Sequence, residues 1–149
     1  MEKDLSVRKS GLTVMQEVAI CFAAGVVAAL VVVLFSHVLF ALGVSATLGV
    51  DAPVSVKPPD IYRPLFWGGL WGIPFGLLIK TAWKRLYLFG LLYFLAPVLA
   101  LFTIFLPLSG AGFFGLERGS GFMVYLLLVN LPFGIIMALV ARVIIGKQP

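Results

Sequence analysis

The stretch FWGGLWGIPFG, from Phe66 to Gly76, holds two tryptophans, four glycines and a proline in eleven residues. In water it would read as a turn, because glycine and proline cost a helix interior about 1 and 3 kcal/mol relative to alanine. Here it lies inside a long apolar run. A lipid solvent removes the conflict: the hydrophobic drive between helices vanishes there, and close packing through small residues takes over. Gly68, Gly72 and Gly76 recur every fourth residue. Successive members turn by about 40° on a 3.6-residue helix, so they form one slanting groove. Trp67 and Trp71 flank that groove. The stretch is therefore predicted to be a helix whose glycines dock on a neighbour. The first apolar run offers Cys21, Gly25 and Ala29, with Ala24 and Ala28 beside them, and the last offers Gly134 and Ala138.

Composition agrees with a lipid solvent. Of 149 residues, 62% are hydrophobic and 11% charged, and the mean hydropathy is +1.13. A soluble domain carries about 45–50% apolar and about 25% charged residues. Four apolar segments run over residues 14–42, 64–83, 86–106 and 122–145. Each is long enough to cross ~30 Å of hydrocarbon. The predicted fold class is an all-α integral membrane protein, with four transmembrane helices in an up-down bundle forming a single membrane domain over 1–149. Residues 1–13 form a cytoplasmic tail, and residues 43–63 and 109–121 form outer loops. Thr13 followed by Gln16 fits a capping box at the start of the first helix. That apolar run is too long for the core of a cleaved signal peptide, so it reads as an uncleaved anchor.

Orientation follows from Lys and Arg. Lys3, Arg8, Lys9, Lys80, Lys84, Arg85, Arg142 and Lys147 fall on one side, and Lys57, Arg63 and Arg118 on the other. Both termini are expected in the cytoplasm of a multi-pass inner or plasma membrane protein. The clustered basic residues do not form the stripe that a nucleic-acid partner needs. Cys21 is alone and apolar in setting, and no metal-ligand spacing occurs, so no cofactor is predicted. The first outer loop holds Pro53, Pro58 and Pro59 and is expected to run extended. The second is expected to dip Phe113, Phe114 and Leu116 into the interface. Asp60, Arg63, Glu117 and Arg118 are candidates to pair across the two loops.

Pro74, Pro97 and Pro132 each remove a backbone donor and are expected to kink their helices. They leave the carbonyls of Leu70, Tyr93 and Leu128 free, and kinks at similar depths could open a central cavity; the plainer alternative is that proline and glycine are simply common in membrane helices. Ile73-Pro-Phe-Gly and Leu131-Pro-Phe-Gly repeat at an offset of 58 residues, which suggests a parallel two-helix repeat. Intramembrane polar residues are the default functional candidates, and they are Ser36, His37 and Asn130, with Glu17 and Arg142 at the inner ends. No catalytic template fits. The first functional expectation is a non-enzymatic protein that assembles through its small-residue faces, as an accessory subunit beside other membrane proteins or as a homo-oligomer. The alternative is a small channel or transporter with a path near His37 and Asn130. A third reading places haem or quinone at His37.

Overall fold

The computed structural model describes residues 11–146. Most of the expected cytoplasmic tail, with Lys3, Arg8 and Lys9, and Lys147 at the other terminus, lie outside the described residues. All regular structure among the described residues is helical. Three helical stretches are long and apolar enough to cross a membrane: Val14–Ala41, Tyr62–Leu108 and Ser120–Gly146.

The first stretch is α1 (Val14–Ala41), followed by the short α2 (Val44–Thr47). At the start of α1, the Gln16 amide donates to Thr13 Oγ1 at 3.3 Å and the Thr13 amide donates to Gln16 Oε1 at 2.8 Å. This reciprocal pair closes two of the helix's open donors. Residues 51–56 lack regular structure, and the chain turns through 57–61 with a cis Pro58–Pro59 bond, so the first loop is not extended throughout.

The second stretch contains α3 (Tyr62–Ala82), a 3-10 turn at Trp83–Arg85, α4 (Leu86–Tyr93), α5 (Leu95–Ala100), a π-helical turn at Leu101–Phe105 and α6 (Leu106–Leu108). It folds back on itself at Trp83–Arg85. The Tyr93 hydroxyl donates to the Trp71 carbonyl at 2.7 Å, and the rings of Trp67 and Phe105 meet at 4.9 Å. One straight helix would hold those two rings roughly 57 Å apart. The third stretch contains α7 (Ser120–Asn130) and α8 (Pro132–Gly146), preceded by 3-10 turns at Phe113–Arg118.

The prolines act unequally. α3 continues through Pro74. By contrast, the run expected as one helix over 86–106 is interrupted at Phe94, three residues before Pro97, and widens into the π turn. A proline ring crowds the preceding turn, which explains the place of the break. The run expected over 122–145 is interrupted at Leu131. There the Leu131 amide donates to the Leu128 carbonyl at 3.3 Å, so the acceptor that Pro132 would leave free has a partner.

α1 packs along α3 and α8, and α4 packs along α8. The main core holds Phe75, Ile79, Leu86, Met137 and Ala141. At one end Glu17, only 2% exposed, pairs with Lys80 at 3.3 Å. Beside it the Arg142 guanidinium lies over the rings of Tyr87 and Trp83, at 5.1 and 6.0 Å. The opposite end carries Arg63 and both longer loops. There Arg118 lies over the Phe122 ring at 5.3 Å. No ion pair joins the two loops among the described residues, contrary to the pairing expected of Asp60, Arg63, Glu117 and Arg118. Phe113, Phe114 and Leu116 are all exposed, and the Phe114 ring also meets that of Phe102.

Candidate functional site

Two close helix contacts frame the site. Along α1 and α3, a Cβ added to Gly72 would strike the Cys21 carbonyl, and one added to Gly25 would strike the Gly68 carbonyl. A Cβ on Gly68 would meet the Ala29 methyl, and one on Gly76 would lie 2.8 Å from Val18 Cα. Between α8 and α4, a Cβ on Gly134 would strike the Gly90 carbonyl, and one on Gly90 would lie 2.8 Å from the Ala138 methyl. Gly90 escaped the sequence reading because it is a lone glycine in LYLFGLLY, without the four-residue spacing that marked the others. The small-residue faces therefore meet helices of the same chain. Backbone of this chain fills the space at these glycines.

Toward the Arg63 end the helices part around a cavity of about 630 Å³. Ala29 and Val32 of α1 form one wall, and Trp67, Gly68 and Trp71 of α3 form the next. Pro97 of α5 and Leu101 and Phe105 of the π turn line the third side. Asn130 and Phe133, on either side of the α7–α8 break, complete it. Val54, Pro59, Asp60 and Arg63 surround the mouth. Both broken helices thus face one space. Irregular backbone at membrane depth is tolerated where protein covers it or where it lines a cavity.

Asn130 has a defined orientation. Its Nδ2 donates to the Leu126 carbonyl at 2.8 Å. A carbonyl oxygen only accepts, so the amide nitrogen must face it, and Oδ1 is left as an acceptor. Ten residues of helix separate Ser120 from Asn130, placing it roughly 15 Å from that end, half the thickness of a hydrocarbon core.

Ser36 and His37 are not in the lining. Ser36 is buried; its hydroxyl donates to the Val33 carbonyl at 2.6 Å and accepts from the Val54 amide at 3.0 Å. It pins Val54, a residue of the mouth, to α1. His37 Nδ1 lies 3.0 Å from the same Val33 carbonyl, so it serves as the donor nitrogen. Of the two residues, Asn130 lines the cavity and His37 does not. On the Glu17 side of Trp71 the rings of Phe75, Phe89 and Tyr93 cluster, with centroids 5.0–5.6 Å apart.

Comparison with known protein families, with curated proteins and with solved structures gives no match. The cavity's own residues are the guide to its chemistry.

Proposed function

We propose that this chain is a small carrier of the inner or plasma membrane, with four spans, which admits a small molecule from outside into a cavity that ends at Asn130. The four spans are α1, α3, the run from α4 to α6, and the run from α7 to α8. The Glu17 end, with Lys80, Lys84, Arg85 and Arg142, faces the cytoplasm, as do both termini. The observation that carries this reading is the meeting of two helix breaks on one cavity, each about midway along its helical run. Discontinuous helices around a midplane site are a recurring construction in transporters. The buried cluster of the Phe75, Phe89 and Tyr93 rings toward the Glu17 end favours a carrier over an open channel. A parallel repeat fits the packing too: Gly76 docks on α1 and Gly134 on α4, so each Pro-Phe-Gly glycine meets the preceding helix of its own half. An accessory subunit or a homo-oligomer would have to use another surface, such as the exposed rows of Leu30 and Leu34.

Cysteine labelling tests the carrier reading. Cys21 is buried, so the native chain supplies the background. Asn130→Cys should react in intact cells with a membrane-impermeant thiol reagent added outside, and should stay protected in inverted vesicles. Phe113→Cys, on the exposed loop, serves as the control for sidedness. If Phe113→Cys reacts from outside while Asn130→Cys does not, the cavity is not an entry path and the reading fails.

A further inference from the structure

We infer that the cavity takes a single-chain amphiphile with a zwitterionic head, the head held at Asp60 and Arg63 and the chain lying against Trp67 and Trp71. The inference rests on the carrier reading above and names its ligand class.

Opposite charges sit three residues apart at the mouth, on the turn and first residues of α3. Both are exposed, and no ion pair between described residues uses either. A head with one charge would satisfy one of them and oppose the other. A head carrying both an amine and a phosphate or carboxylate meets each with its opposite. Past the mouth the walls turn apolar, with two indoles, Phe105 and Leu101. From Arg63 to Trp71 the helix rises by roughly 12 Å. A free zwitterion the size of an amino acid would leave most of that wall uncovered, whereas a chain would cover it. A volume of about 630 Å³ lies within the common range for ligand pockets. Asn130 at the closed end sets a limit on chain length. A tail long enough to cover its Oδ1 would bury an acceptor without a donor, which costs free energy.

Tryptophan quenching in lipid nanodiscs reads the binding directly, because Trp67 and Trp71 line the cavity and Trp83 lies at the far end. Three single-chain probes share one brominated chain and differ in head: phosphoethanolamine, trimethylammonium or phosphate. The phosphoethanolamine probe should bind about threefold to fivefold more tightly than either singly charged one, the size expected of exposed charge contacts. Arg63→Gln should lower it to the level of the cation, and Asp60→Asn to the level of the anion. Lengthening the chain beyond the span to Asn130 should bring no gain. Equal binding of all three heads, or indifference to both substitutions, would overturn the ligand assignment. In that case outside labelling of Asn130→Cys still supports the carrier. If no probe quenches and Asn130→Cys is unlabelled, both readings fall.

Discussion

Ile73-Pro-Phe-Gly and Leu131-Pro-Phe-Gly have the same order of residues and opposite effects on their helices. In both, the phenylalanine is buried and the glycine receives the backbone of a neighbour. Yet α3 runs through Pro74, and α7 stops before Pro132. The difference lies two residues before the proline. The first copy has Gly72, seated on the Cys21 carbonyl. The second has Asn130, whose side chain donates to the carbonyl four residues back. Such back-bonding competes with the helix ladder and bends it. A proline in a membrane helix therefore does not decide a break alone; its neighbours and the helix covering it do.

Exchanging the two positions is the severest trial of that comparison. Gly72→Asn should cost more than about 3 kcal/mol, since a side chain there runs into backbone that cannot yield. Thermal denaturation followed by size exclusion should show loss of the folded monodisperse species. A folded, stable Gly72→Asn protein would break the account of the α1–α3 contact. The reciprocal change, Asn130→Gly, should leave a folded protein, destabilised by well under about 1 kcal/mol through helix propensity, since asparagine is itself a poor helix former. Spin labels placed at either end of α7–α8 should then report a straighter helix. An unchanged distance would remove Asn130 from the cause of the break.

Tyr93→Phe sharpens the contrast at a smaller scale. It removes the hydrogen bond to the Trp71 carbonyl, one residue beyond the acceptor that Pro74 leaves open. Interhelical bonds of this kind average about 0.6 kcal/mol. Its thermal shift should therefore be well below that of Gly72→Asn. The smallest effect is expected of His37→Ala. His37 bonds only within its own helix and stands outside the cavity lining. Stability should move by no more than about 0.5 kcal/mol, and the labelling of Asn130→Cys should be unchanged. A large loss of labelling would return His37 to the path.

Much of the helical layout was legible along the chain. Helix starts and ends at α1 and α3 fall within two residues of the expected positions. The glycine spacing identified which face of α3 is covered, because a four-residue repeat marks one stripe whatever lies opposite. Asn130 stood out because polar side chains are scarce in apolar runs. Less could be read of the broken helices. Pro74, Pro97 and Pro132 look alike as letters, and only their surroundings separate them. The π turn at Leu101–Phe105 has no composition of its own. The tether that Ser36 makes was not legible, since the Val54 amide that it holds lies eighteen residues away.

Composition and periodicity by themselves determined the lipid solvent, the helical class and the close-contact stripe on α3, because these depend on properties counted along one chain. Which helix meets each glycine stripe, which proline becomes a break, and the cavity at Asn130 were decided only in the tertiary structure. Those outcomes depend on whether another segment, distant in sequence, arrives to fill the space and satisfy the backbone.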